Sequence, residues 1–347
     1  MKNFIVKITT FCLPLILLVI TYVTTDVFKV IYHYDPFFTD SYYYVAVNRA
    51  YGSTMTYINQ DPKYHYDSFI FGNSRSLFYE IDTWKKYLPK KSACIHFDEA
   101  FGSISGVSDK VAFIDKNGGQ LKNALLVIDH ELLSRLEQKD NYLVISPPIL
   151  KNYRNIIDFH KQHFIAFFNL TFLVALADYN MFGVFRPYMQ NYIDNSHSTY
   201  LPQYNEIQKP FAEKKIAEGV YYDAELLKSF ENVQEPGSYS LEELSIEEIE
   251  CLKDIKEIFN KHKTSYKIVI SPLYDQVKLN RKTYHILCSI FGKENIYDFS
   301  GVNKWTKDYH NYYEILHYRP CVAAEIMDII YNSKEENAKR KHSINYR

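Results

Sequence analysis

Two short stretches near opposite ends of the chain carry side chains from which covalent chemistry could be built. The first is FGNSRS, Phe71 to Ser76, where Ser74 follows Gly72 and Asn73 in a tight turn behind an apolar run. The second is YYEILHYRP, in which Glu314 stands three residues before His317. A serine hydroxyl is a weak nucleophile until a base takes its proton, and an imidazole works best when a carboxylate fixes its tautomer and stabilises its charged form. Ser74 is therefore the candidate nucleophile, His317 its base and Glu314 the orienting acid, with His310 a rival base and Asp308 a rival acid. A turn between strand and helix also offers backbone N–H groups and a positive dipole end to a developing oxyanion. The bland alternative is that Ser74 only caps the helix behind it.

For these stretches to meet, a sheet has to carry them. Five apolar runs of strand length stand out: Ser68–Phe71, Ala93–Phe97, Ala124–Ile128, Lys267–Ser271 and Asn295–Phe299. Apolar strands alternating with helix-period segments predict a parallel sheet covered on both faces, hence an open α/β domain with its site at the carboxyl ends of the strands. LFYEIDTWKKYL, directly after the Ser74 turn, reads as a helix. Ser245 and Glu248 form a capping box ahead of Ile249, Leu252, Ile255 and Phe259 at helical spacing. Pro320 suits a first helical position, with Val322, Ile326, Ile329 and Ile330 forming an apolar stripe behind it.

The excess between the third and fourth strands predicts an insertion at about 135–244. It contains FIAFFNLTFLVALA, Phe164 to Ala177, too short for a comfortable bilayer span and suited to a buried helix or one lying against a membrane or over the site. The polar remainder of the insertion would form a lid. At the N-terminus, FIVKITTFCLPLILLVITYV from Phe4 to Val23 matches the length needed to cross a bilayer. Lys2 and Lys7 before it and Asp26 after it keep the N-terminus cytoplasmic and export the rest to the periplasmic or cell-surface side. The expected organisation is thus an anchor at 1–25, a helical lead-in without recognisable chemistry at 26–65, an α/β domain at 66–333 and a disordered tail at 334–347.

Composition removes several function classes. With 40 basic and 41 acidic side chains among 347 residues, the formal charge of −1 gives no reason to expect nucleic acid. Only 11 glycines leave little material for a phosphate-cradling loop. The five cysteines are scattered without metal-ligand spacing, so neither a metal nor a cofactor is expected. The 32 tyrosines suit ordinary half-buried positions or rings lining a sugar-binding cleft.

From about Tyr66 to Tyr331 the chain resembles the SGNH/GDSL hydrolase superfamily in its membrane-anchored bacterial branch. Gly72-Asn73-Ser74 is similar to the superfamily's first block, and Glu314-x-x-His317 to its last, usually Asp-x-x-His, here extended to HYRP. The resemblance implies a flavodoxin-like three-layer sandwich with a five-stranded parallel sheet ordered 2-1-3-4-5. It implies Ser74 and Gly102, or less favourably Gly106, as oxyanion donors. Where the family shows Gly-x-Asn-Asp the chain reads VIDHELL, so Asp129 and His130 occupy that place; Asn73, Arg75 and Arg319 are further site-lining candidates. The implied activity is that of a serine esterase or O-acyltransferase on acyl, chiefly acetyl, esters of extracytoplasmic polysaccharide, beside a multi-spanning membrane acyl-transfer partner. The alternative is a catalytically weak domain that binds glycan or scaffolds such a partner.

Overall fold

The computed structural model describes residues 2–41, 43–135, 140–231 and 236–344, with backbone alone at 2–12 and 333–344. Its centre is a five-stranded parallel sheet: β1 (Ser68–Gly72), β2 (Cys94–His96), β3 (Asn123–Ile128), β4 (Ser265–Ile270) and β5 (Ile296–Asp298), in the order β2-β1-β3-β4-β5. All five expected strands are present within a residue or two of their predicted limits.

Successive side chains of a strand point to opposite faces, and here both faces are dry. Phe69, Phe71, Leu126, Ile268 and Ile270 face the helices Ile104–Lys116, Ile246–His262 and Arg281–Phe291, through Val111, Ile255 and Leu287 among others. Ile70, Leu125, Val127 and Val269 face the other layer, built from Trp84 and the last helix through Val322, Ile326 and Ile330. Each fully buried side chain of this kind contributes about 1.5–3 kcal/mol. The Ser245–Glu248 capping box is formed, and the last helix starts at Pro320 as expected.

Three expectations about the elements are corrected. The stretch after Ser74 is not one helix but a short 3-10 turn, Ser74–Phe78, followed by Ile81–Trp84 and Lys85–Tyr87. Leu77, Phe78, Tyr79, Ile81 and Trp84 are all buried, which no single helical stripe allows, and the Ile81 N–H is taken by the Glu206 carboxylate at 2.7 Å. The charged tail, expected to be disordered from 334, continues the last helix to Ile344, in keeping with its Glu, Ala, Lys and Arg content; residues 345–347 lie outside the described residues. The N-terminal membrane-spanning helix is not supported. Among the described residues no single helix is long and apolar enough to cross a membrane, and Leu13–Thr25 is a short apolar helix.

The apolar stretch of the insertion is two helices, Ile156–Phe167 and Leu170–Phe182, bent by 59° where Asn169 caps the second. The lead-in is helical only at Arg49–Tyr64. Before that it is held by Asp26, whose buried carboxylate accepts the N–H groups of Val30, Ile31 and Tyr32 at 2.9 Å.

The site depends on how β1 ends. Gly72 adopts φ +151°, and a Cβ there would stand 2.4 Å from the Val127 carbonyl oxygen and 2.9 Å from Ser76 Cβ. Gly72→Ala is expected to destabilise the protein by about 3 kcal/mol, combining backbone strain with overpacking. Urea unfolding checks this, and an unchanged midpoint would contradict it.

Candidate active site

Asn73 makes the turn that presents Ser74. Its Oδ1 accepts the Arg75 N–H at 3.1 Å, its carbonyl accepts Ser76 N–H at 3.0 Å and Ser76 Oγ at 2.7 Å, and its Nδ2 donates to Asp129 Oδ2 at 2.8 Å. The turn thereby consumes the N–H groups of Arg75 and Ser76, but not that of Ser74. Side-chain Oγ of Ser74 is left at the carboxyl edge of the sheet, half-buried.

The Glu-x-x-His spacing is a hairpin. Tyr312–Glu314 pairs antiparallel with His317–Tyr318, Ile315 and Leu316 make the loop, and Glu314 and His317 become cross-strand neighbours. Tyr312 anchors it by donating to the Pro272 carbonyl at 2.7 Å, and Tyr313 by donating to Glu213 Oε1 at 2.7 Å. Tyr318 is wholly buried beside Ser271 and Tyr79.

Between the two stretches a continuous relay is formed. His317 Nε2 lies 2.7 Å from Ser74 Oγ, and His317 Nδ1 is hydrogen-bonded to Glu314 Oε1. Glu314 Oε2 accepts the Leu316 N–H at 2.7 Å, so both carboxylate oxygens are fixed. Burial pushes the imidazole below its ordinary pKa, Glu314 pulls it up by hydrogen bond and charge, and Lys209 and Arg75 push it down; the net direction is down. Burial raises the Glu314 carboxyl, but the bond and charge of His317 outweigh it and hold the group below its usual range. A neutral imidazole next to an ionised carboxylate is the state in which a serine proton can be accepted.

Arg75 joins turn to hairpin, its Nε donating to the Leu316 carbonyl at 3.1 Å and its Nη2 pairing with Glu131 at 2.7 Å. Of the other candidates, Asp129 accepts from Asn73 Nδ2 and caps His130–Ser134 through Leu132 N–H at 2.8 Å; Asn73 and Asp129 therefore position the Ser74 turn. His130 bonds Asp275 Oδ2 at 2.9 Å and faces a separate hollow with Ser240 and Glu243. Arg319 pairs with Glu213 and donates to the His310 carbonyl at 3.0 Å. Neither lines the Ser74 cleft, because each is spent on a carboxylate elsewhere. His310, the rival base, is exposed and paired with Asp308, the rival acid, at 2.7 Å.

Gly102, expected as an oxyanion donor, packs against the Glu99 side chain. A Cβ there would stand 2.4 Å from Glu99 Cγ, and one at Gly106 would stand 2.1 Å from Glu99 Oε1. Both glycines make room for the buried Glu99 carboxylate, which accepts Ser103 N–H at 3.0 Å and lies 3.6 Å from Lys110 Nζ. Ala100 and Phe101 are the residues of that loop that face the cleft.

The cleft itself is a cavity of about 620 Å³ holding Ser74 and His317 at its floor. Its walls include residues that sequence reasoning passed over: Lys29, Phe38, Tyr43 and Arg49 from the lead-in, and Tyr200 and Lys209 from the polar part of the insertion. Arg49 is buried in a two-pronged pair with Asp98, both N–O distances 2.9 Å, and packs on Phe38 at 4.7 Å. No local motif announces that pair, since its members come from different elements. Among the described residues, no three His, Cys, Asp or Glu side chains converge as metal ligands would.

In an NMR titration the His317 ring should ionise below the ordinary histidine range. Glu314→Ala, by removing the two upward influences, should lower that pKa further; a rise in the variant would contradict the pairing.

No family model matches the chain, and no curated protein or solved structure matches it either.

Proposed function

We propose that the protein is a serine esterase or O-acyltransferase of the SGNH type, with a flavodoxin-like domain acting on acyl, chiefly acetyl, esters of extracytoplasmic polysaccharide. The observation that carries this reading is the unbroken relay Ser74–His317–Glu314, with Nε2 2.7 Å from the hydroxyl. Ser74 Oγ attacks the acyl carbon as His317 takes its proton. His317 then returns the proton to the leaving oxygen, and water or a second hydroxyl resolves the acyl-enzyme by the reverse sequence. Glu314 holds the tautomer and offsets the imidazolium charge. The Ser74 N–H, left free by the turn, faces the developing oxyanion.

The reading extends to a membrane location with the α/β domain on the extracytoplasmic side and a multi-spanning acyl-transfer partner. The first helix, Lys2–Thr25, is about 36 Å long at 1.5 Å per residue. Tyr22 near its end packs on Phe164 and Phe167 at 5.6 and 5.1 Å. Ile157, Leu170, Met181 and Phe182 of the bent helix pair are exposed apolar side chains suited to lipid.

A second reading, a catalytically weak domain that binds glycan or scaffolds a partner, is favoured by Asp129, which caps a helix where the resemblance implies an asparagine donor. One lost donor costs about 10²–10³ in rate.

A fluorophosphonate probe separates the two. The catalytic reading expects labelling of the native chain, none in Ser74→Ala, and labelling slowed by about 10² or more in His317→Ala. No labelling of the folded native protein would favour the second reading.

A further inference from the structure

The cleft walls carry five basic side chains, Lys29, Arg49, Arg75, Arg135 and Lys209, against two acidic ones, Glu131 and Asp194. Most of these cations are spent within the protein. Arg49 is paired with Asp98, and Arg75 and Arg135 share Glu131 at 2.7 and 3.5 Å. Lys29 donates to the Phe37 carbonyl at 2.8 Å.

Lys209 is different. Its Nζ stands 5.4 Å from the Phe78 ring and 4.9 Å from the Tyr313 ring, and no described residue gives it a carboxylate or carbonyl within hydrogen-bonding reach. Phe78 is also the ring on which His317 packs edge-on at 5.6 Å, so one phenyl group separates this ammonium from the catalytic base. Burial lowers the Lys209 pKa, while Glu314 and Asp194 act on it through space in the opposite direction. Lys209 is half-buried on the cleft wall, and contacts with ring faces, worth about 0.5–2 kcal/mol, are weaker than the charge-assisted hydrogen bonds an anion would offer. A cation left in that condition on the wall of an open cleft is completed by an anion arriving with the ligand.

We infer that Lys209 forms a subsite for a negatively charged group, carboxylate or phosphate, on the substrate, so that the ester cleaved or formed at Ser74 belongs to an acidic molecule. The subsite rests on the reading of Ser74 as a nucleophile for its placement, but not for its binding chemistry. Lys209 then acts as a specificity determinant, holding the acidic substituent at the Phe78 and Tyr313 side of the cleft while the acyl carbon lies over Ser74.

The test uses an isosteric pair, 4-acetoxybenzoate and 4-acetoxybenzamide, with 4-acetoxyphenyl phosphate as a third probe. Binding to the full-length Ser74→Ala chain is measured by calorimetry, so turnover is not required. The charged esters should bind about 10- to 100-fold more tightly than the amide, the range of a charge-assisted hydrogen bond. The ratio of carboxylate to phosphate affinity identifies which acid the subsite suits. Adding Lys209→Met should remove the preference, and adding Lys209→Arg should keep most of it. Equal binding of benzoate, phosphate and amide to the Lys209-containing protein overturns the proposal, as does a preference that survives Lys209→Met. If fluorophosphonate fails to label Ser74 while the Lys209-dependent preference persists, the subsite stands and the acyl-transfer reading falls.

Discussion

The arrangement depends on one buried cation. Arg75 follows Ser74 directly, and its guanidinium reaches back to the Leu316 carbonyl at 3.1 Å and across to Glu131 at 2.7 Å, with Asp129 at 3.7 Å. Burial works against its charge, but the two carboxylates more than compensate and keep it ionised. Removing one partner from such a buried arrangement costs about 3–5 kcal/mol, because the remaining charges stay desolvated. Three elements that share no hydrogen-bonded strand edge are tied at this point: the turn after β1, the short helix after β3 and the hairpin that bears Glu314 and His317.

Fixing the hairpin at Leu316 fixes His317 one residue later. The relay distances then follow from backbone geometry more than from free rotation of long side chains. The tight end of β1 contributes from the other side, since Gly72 lets the chain turn under the Val127 carbonyl and Asn73 locks it to Asp129. Asp129, standing where an oxyanion donor would be expected from the resemblance, is used here to support the nucleophile turn. Among the described cationic side chains of the cleft wall, Arg49, Arg75 and Arg135 are paired with carboxylates, and Lys209 is the one held by rings alone.

Much of this was legible in the sequence, for identifiable reasons. Buried parallel strands read as apolar runs because neither face meets water, and so all five were found near their true limits. The placement of Ser74, Glu314 and His317 was legible because each sits in a local feature, a strand-ending turn or a two-residue hairpin loop. The misread positions depend on side chains that fold back or arrive from afar. Gly102 was assigned to the cleft because nothing in FDEAFGSISG shows that Glu99 curls under it. LFYEIDTW was read as one helix because the burial of Phe78, Tyr79, Ile81 and Trp84 together in one layer is a tertiary fact. Lys209 gave no signal, since the rings flanking it, Phe78 and Tyr313, lie far away along the chain.

The Arg75 guanidinium thus holds the hairpin against the turn that carries Ser74. A crystal structure of Arg75→Met, which keeps the apolar stem and removes every donor, tests it most directly. An unchanged sheet is expected, with the 312–318 hairpin withdrawn and the contact between Ser74 Oγ and His317 Nε2 lost. An intact hydrogen bond between those two atoms in the variant would contradict it.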